Sequence, residues 1–301
     1  APADAPARPL LADVALALPP GGALGIVGES GSGKSLTCLS VMGLLPPALR
    51  QTGGTLRFGG AELVPGRAGL RGKRIAMIFQ DPVASLNPVR RVGAFLTGLL
   101  RLHRGLEGRA AEAEAVRLLD AVGMPAARAR LRAWPHELSG GQNQRVMIAG
   151  ALAGDPDLLL ADEPTTALDV TTQAQILDVL RALRAERGMG LVIVSHDFGV
   201  IAEAAEEVAV MYAGRVVERA PAARLFHAPR HPYTAGLLAS IPPERGRAAL
   251  AALPGHPPGT GAALSACAFA PRCARAERRC REALPAWAEA EGRAAACHRP
   301  L

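Results

Sequence analysis

Two glycine-rich segments and one acidic strand end carry the chemistry open to this chain. The first segment is Gly28-Glu29-Ser30-Gly31-Ser32-Gly33-Lys34-Ser35 and the second is Leu138-Ser139-Gly140-Gly141-Gln142. The acids are Asp162 and Glu163, directly after Leu158-Leu159-Leu160-Ala161. Glycines let a backbone wrap closely, so that successive N–H groups point at phosphate oxygens ahead of a helix. Lys34 supplies positive charge for β and γ phosphates, and the Ser35 hydroxyl suits a Mg²⁺ ligand. Asp162, after four apolar residues, falls at a strand end where a carboxylate holds Mg²⁺ directly or through water. Glu163 is a candidate general base that polarises an attacking water. A capping pair ahead of a helix beyond Pro164 explains one acid, but not both together with the upstream loop.

These groups need elements to position them. Leu24-Gly25-Ile26-Val27 is a short apolar strand running into the first glycine loop, and Ser35 to Leu45 continues as a helix that Pro46-Pro47 stops. Thr55 to Phe58 and Ile75 to Phe79 fit two further strands, with Gly59-Gly60 as a turn. From about Val89 to Ala133 the pattern is helical, with Val116 and Leu119 at helical spacing in an alanine- and glutamate-rich stretch. A strand (Leu158 to Ala161), a helix (Thr171 to Ala185), a strand (Leu191 to Ser195) and a helix (Phe198 to Glu207) then alternate. Such alternation predicts a mostly parallel sheet with its ligand at the carboxyl ends of the strands. After Val217 the alternation stops, proline density rises from Pro229, and four of the five cysteines gather between 267 and 297. That tail reads as a separate small unit, and Ala1 to Pro9, with three prolines, as an unstructured lead-in.

With 301 residues, one substantial α/β core and a small appendage can be buried. No stretch approaches the roughly 18 apolar residues of a membrane-spanning helix, and no cationic, apolar leader opens the chain. The expectation is a soluble, intracellular protein. The net charge of +7 raises nucleic acid as a partner, but the arginines are scattered and aromatic residues make up only 3%. No basic stripe with stacking aromatics forms, so no nucleic-acid partner is expected.

The phosphate loop, the Leu138–Gln142 turn and the acidic strand end together resemble the nucleotide-binding subunit of an ABC transporter, over roughly Leu10 to Ala220. The resemblance implies an α/β, RecA-like P-loop core with an antiparallel β edge and an inserted helical subdomain near residues 89–152. It implies an ATP hydrolase that binds nucleotide through Gly28, Ser30, Gly31, Gly33, Lys34 and Ser35. Ser35, Gln80 and Asp162 would hold Mg²⁺, and Glu163, His196 and Gln80 would be the catalytic residues. Ser139, Gly140 and Gly141 match the signature turn that completes a partner subunit's site, and Ala167-Leu168-Asp169 resembles the loop linking paired sites. Ile78-Phe79-Gln80-Asp81-Pro82 with Ser85-Leu86-Asn87-Pro88, and His231-Pro232-Tyr233-Thr234, are similar to importers of the dipeptide/oligopeptide family. Gly43 to Pro47 looks like that family's D-type ATPase. The partners implied are an F-type ATPase subunit, two transmembrane permease subunits and an extracytoplasmic solute-binding protein, with this chain peripheral at the cytoplasmic face of the inner membrane. An importer of nickel, opines or another small solute, or a soluble ABC ATPase outside transport, are the alternative functions.

Two departures stand out. No aromatic residue precedes the phosphate loop, where the family stacks adenine, and the chain opens without methionine, so a first strand is expected ahead of it. Asn143 stands where an arginine is common after the signature turn and is the first place to look for asymmetry between paired sites. In the tail, Cys267, Cys273, Cys280 and Cys297 are separated by five, six and sixteen residues. That is not the C-x₂-C knuckle usual for structural zinc, and disulfides do not suit a cytosolic ATPase. In the peptide-importer family a similar tail, with the Phe269-Ala270-Pro271-Arg272-Cys273 context, is associated with a [4Fe–4S] cluster. Cluster, zinc and free thiols all remain open. His298 reads as a bystander and Cys38 as a core residue. The domains expected are 1–240, the nucleotide-binding domain, and 241–301, a regulatory or interaction tail.

Overall fold

Ten strands and eleven α-helices form in the computed structural model, which describes residues 9–63, 69–166, 168–241, 253–259 and 265–301. The strands are β1 (Ala23–Val27), β2 (Arg57–Phe58), β3 (Ala61–Glu62), β4 (Ile75–Ile78), β5 (Leu158–Asp162), β6 (Gly190–Ser195), β7 (Glu207–Tyr212), β8 (Arg215–Pro221), β9 (Trp287–Ala290) and β10 (Arg293–Ala296). The helices are α1 (Lys34–Met42), α2 (Pro82–Ser85), α3 (Val92–Arg104), α4 (Gly108–Ala121), α5 (Ala127–Arg130), α6 (Gly140–Leu152), α7 (Val170–Arg187), α8 (Phe198–Ala204), α9 (Ala222–His227), α10 (Pro232–Ala239) and α11 (Arg278–Glu282). The chain divides into two compact units. One comprises the described residues of Ala1–Ala17, Leu24–Thr37 and Ser195–Leu301, and the other Leu18–Ala23 and Cys38–Val194.

In the second unit β4, β5 and β6 pair in parallel, with Ile78 opposite Ala161 and Asp162 opposite Val194. Both central strands are almost wholly apolar and buried, as a parallel strand covered on both faces requires. Each large side chain there gains about 1.5–3 kcal/mol from leaving water. The helical subdomain is built from α3 to α6. Leu96 and Leu100 of α3, Leu118 and Leu119 of α4, and Ile148 and Leu152 of α6 are all buried to within 1%. The i, i+4 spacing of Leu96 and Leu100 gives α3 one apolar stripe to bury. On α7 the buried set Ile176, Leu177, Leu180 and Leu183 repeats the same logic.

In the first unit β1 runs parallel to β7, and the remaining pairings are antiparallel: β7 with β8, β8 with β10, β10 with β9. The β7–β8 hairpin turns at Ala213 and Gly214, both with positive φ (48° and 78°), as a two-residue primed turn requires. Sequence patterning carries a helix through to Glu207, whereas α8 stops at Ala204 and Glu207 begins β7. Ala202 to Glu207 suits a helical pattern, and the Ala205-Glu206 connection between α8 and β7 holds neither glycine nor proline to mark the change. The cysteine-bearing segment, read from the sequence as a unit of its own, is stitched into the first unit through Ala294 and Ala295 opposite Arg219 and Glu218. Thr55 and Leu56, expected in a strand, lie outside β2, which pairs with β3 alone.

Candidate nucleotide site

β1 delivers the chain into the phosphate loop, and α1 begins at Lys34. Lys34 is 5% exposed, and its ammonium arches back to donate to the Gly28 carbonyl (2.7 Å) and the Glu29 carbonyl (2.9 Å). Two glycines are obligatory. Gly28 has φ +154°, and a Cβ there would lie 2.2 Å from the Met211 carbonyl oxygen. Gly33 has φ +104°, and a Cβ would lie 2.6 Å from the Leu11 side chain. Neither conformation suits an L side chain. Ser30 and Gly31 form the exposed tip, and Ser35 sits half-buried in the first turn of α1. His196, directly after β6, is exposed, and the chain turns there as Asp197 N–H donates to the Ser195 hydroxyl (2.9 Å).

In the second unit Asp162 ends β5 and is 5% exposed, while Glu163 takes φ +48°. A non-glycine residue in that region carries strain of about 1–3 kcal/mol and persists only where its surroundings hold it. Here the Glu163 N–H donates to the Val194 carbonyl (2.9 Å). Its carboxylate accepts from the Thr166 hydroxyl (2.8 Å) and the Gln80 amide (3.2 Å) on the same oxygen. Gln80 and Glu163, 83 residues apart, are thus brought together. Cys38 is 1% exposed, and burial, then the Asp162 charge, push its thiol up, which keeps it protonated and unreactive.

The signature turn is a capped helix start. Ser139 caps α6 by accepting from the Gln142 N–H (3.3 Å), and the Gln142 side chain accepts from the Ser139 N–H (3.2 Å). A Cβ on Gly141 would meet Thr172 at 2.7 Å, and Asp169 caps α7 through the Thr172 N–H (3.0 Å) and hydroxyl (2.8 Å). The sequence therefore needs glycine where α6 starts against α7. Ala167 lies outside the described residues. Asn143 does not face outward: it is 4% exposed, and its amide donates to the Pro135 carbonyl (3.0 Å). Its role is to hold the chain just before the turn.

The four tail cysteines, Cys267, Cys273, Cys280 and Cys297, line one cavity of about 20 Å³. Burial, with a smaller contribution from the neighbouring thiols, pushes the thiols of Cys267 and Cys297 up, against backbone hydrogen bonds that lower them. Among the described residues no group of three or more His, Cys, Asp or Glu side chains is placed to hold a metal ion as it stands. His298 also lines the cavity, with its ring nitrogen 3.0 Å from the Ala283 carbonyl.

The family model for ABC transporters matches residues 11–166, which spans the phosphate loop, Gln80, the signature turn and both acids. The chain belongs to the ABC transporter family. A second model, for the C-terminal region of oligopeptide/dipeptide transporters, matches residues 217–280 of this ABC ATPase. The oligopeptide transport ATP-binding protein OppD of Salmonella typhimurium is 48% identical over 294 residues, 96% of this chain and 88% of the relative. A protein of Brucella abortus named "Putative peptide import ATP-binding protein" is 47% identical over 290 residues, 95% of this chain and 87% of the relative. Among solved structures, the dimeric ATP-binding cassette MJ0796 in a post-hydrolysis state with ADP and phosphate matches 71% of this chain and 90% of its own. Its TM-score is 0.63 at 30% identity. CbiO1 of Clostridium perfringens, part of an ABC transporter complex, matches 72% and 84% with TM-score 0.63 at 27% identity. The RecA-like α/β fold and ATP hydrolysis expected from the motifs are those of this family.

Sequence reasoning missed one cluster of this ABC ATPase. Glu29, inside the phosphate loop, is held by Arg272 and Tyr233, 243 and 204 residues away. Both partners lie in segments singled out for family likeness alone, and no local spacing could have paired them.

Proposed function

We propose that this ABC ATPase energises import of dipeptides or oligopeptides through a membrane transporter. The observation that carries the reading is a match to the oligopeptide/dipeptide C-terminal region over residues 217–280 on the same chain as the ATPase motifs. Relatives named for peptide import support it at 47–48% identity. Among the described residues no helix is long and apolar enough to cross a membrane, so transport calls on separate permease subunits and a solute-binding protein. The chain would work peripherally at the cytoplasmic membrane face, paired with an F-type ATPase whose signature turn serves this chain's nucleotide.

Within the chain, Lys34, Ser35 and the backbone of Gly28, Ser30, Gly31 and Gly33 would bind the ATP phosphates. Ser35, Gln80 and Asp162 would hold Mg²⁺, which their hard oxygen donors suit and which would neutralise developing phosphate charge. Glu163 orients water for in-line attack and accepts its proton, with Gln80 and Thr166 fixing the carboxylate, and His196 donates to the charge developing on the transferred group. Ser139, Gly140 and Gly141 serve the partner's nucleotide. The test is reconstitution with permease and binding protein in vesicles. Peptide-loaded binding protein should stimulate phosphate release, and stimulation by nickel or an opine but not by peptide overturns the substrate class.

For the tail, four thiols around one cavity fit a [4Fe–4S] cluster in number and type, although the thiols must draw together to ligate. Cys267, Cys273, Cys280 and Cys297 would hold it, and it would supply a cross-link within a regulatory tail. Anaerobic purification should yield brown protein with about four irons per chain. A colourless preparation with zinc alone overturns the cluster.

A further inference from the structure

The phosphate loop is tied to the cysteine-bearing segment by a bidentate ion pair. Arg272 Nη1 donates to Glu29 Oε2 at 2.6 Å, and Nη2 donates to Oε1 at 2.9 Å. The Arg272 side chain is 4% exposed and that of Glu29 27%. Arg272 Nε donates to the Pro254 carbonyl (2.8 Å), Nη1 also reaches the Tyr212 hydroxyl (3.2 Å), and the Tyr212 and Phe269 rings each lie 5.8 Å from Cζ. The backbone of Glu29 is fixed as well, its N–H donating to the Tyr233 hydroxyl (2.9 Å). Tyr233 packs on Tyr212 with centroids 4.5 Å apart. Guanidinium and rings thus form a rigid seat for one carboxylate.

A carboxylate in that position is an electrostatic liability. The loop exists to accept a polyanion, and Lys34 Nζ already bonds the Glu29 carbonyl. A released Glu29 side chain would repel incoming phosphates and compete with them for the lysine, in a partly desolvated setting where such interactions are weakly screened. A bidentate guanidinium both neutralises the charge and fixes its direction.

We infer that Arg272 is a positioning residue for ATP binding: it withdraws the Glu29 carboxylate from the phosphate cradle and cancels its charge. The inference rests on the reading of Gly28 to Ser35 as the ATP site. It makes the C-terminal segment a part of the nucleotide site's electrostatics.

The experiment titrates the purified full-length chain, with Mg²⁺, against fluorescent analogues of ATP and ADP. Arg272→Ala should weaken the triphosphate about tenfold and the diphosphate less, because repulsion grows with ligand charge. Arg272→Lys, which keeps one positive charge without the fork, should lose about threefold. Glu29→Gln introduced into Arg272→Ala should restore affinity to within about twofold of wild type, since the repelling charge is gone. A purely structural tie predicts no rescue, as the double variant lacks both partners. Unchanged affinity in Arg272→Ala, or failure of the rescue, overturns the inference. Should Arg272→Ala melt below the assay temperature, Arg272→Lys and Arg272→Lys/Glu29→Gln make the same comparison, and absence of rescue there overturns it equally. Lys34→Ala separates the two levels. If it binds ATP as wild type does, the ATP-site reading itself fails; if it loses binding while Arg272→Ala does not, only the role of Arg272 fails.

Discussion

Glu29 in the phosphate loop and Glu163 beyond β5 are the same side chain under two regimes. Glu29 is clasped by a nearly buried guanidinium through two short bonds, and its backbone N–H is also taken. Glu163 sits on a left-handed backbone, and the donors its carboxylate accepts from include a neutral amide and a neutral hydroxyl. The first arrangement cancels a charge and immobilises it. The second orients a carboxylate through donors that include a neutral amide and a neutral hydroxyl, with no guanidinium among those named. Position in the chain does not explain the contrast, since both glutamates follow an apolar strand. What differs is the chemistry each region has to do.

The largest effect expected is at Glu163. Glu163→Gln keeps the shape and the acceptor oxygen for Gln80 and Thr166 but cannot take a proton. Phosphate release by the assembled transporter should fall about 10³-fold, within the range for losing a general base, while Mg–ATP binding and thermal stability persist. Hydrolysis at the wild-type rate would make the two glutamates alike in being structural and would dissolve the comparison.

How far each regime was legible depends on sequence distance. The phosphate loop and the acids announce themselves because glycine spacing and an apolar run ending in acids are local signals, whereas Gln80 and the role of the Leu138–Gln142 turn came only with the family resemblance. Strands β5 and β6 were legible for the same reason: a fully buried parallel strand is an uninterrupted apolar run. The start of β7 was less so, since the alanine- and glutamate-rich stretch from Ala202 to Glu207 suits a helix and no glycine or proline marks where α8 gives way to the strand. The Arg272 clasp was not legible at all. It depends on a turn 243 residues downstream, brought back by the pairing of β10 with β8.

The seat around Glu29 has its own pH sensitivity. His231 caps α10, the helix carrying Tyr233, by accepting from the Tyr233 N–H on Nδ1 (3.0 Å). It is 2% exposed, and burial lowers its pKa to about 4. The unfolded chain, near 6.5, takes up its proton first as pH falls, so this contribution is complete above about pH 6.5 and lost progressively toward about pH 4. The drop reaches about 3 kcal/mol at most. His231→Asn keeps a capping oxygen without the titration, so its melting temperature should fall less than wild type's between pH 7 and pH 4.5. Parallel acid profiles for the two proteins would remove His231 from the account.

Glu29→Gln should act in the opposite sense to Glu163→Gln, costing stability and sparing chemistry. Arg272 loses a charged partner but keeps the Pro254 carbonyl, the Tyr212 hydroxyl and one amide oxygen. The expected cost is about 2 kcal/mol, read as a shifted urea midpoint with unchanged slope. The apparent KM for ATP should fall about twofold as a carboxylate leaves the loop. A thousandfold loss of hydrolysis would place Glu29 among the reacting groups and collapse the distinction.

Asn143 gives the smallest and most local test. From the sequence it stands at the edge of the signature turn, where a changed residue would alter the meeting of two subunits. In the fold its amide turns inward to the Pro135 carbonyl and is 4% exposed. Asn143→Ala removes the buried amide's bonds to the Pro135 (3.0 Å) and Leu138 (3.5 Å) carbonyls, though the Pro135 carbonyl keeps the Leu138 N–H (3.2 Å); the loss is about 1 kcal/mol, or roughly 2 °C in melting temperature for a chain of this size. Ser139 keeps its own cap through Gln142, so phosphate release should change less than stability does. If Asn143→Ala melts like wild type yet slows hydrolysis in the paired complex, the side chain acts on the partner's nucleotide after all. The second unit would then carry a residue that, like Arg272 in the first, sets the electrostatics of a site it does not itself occupy.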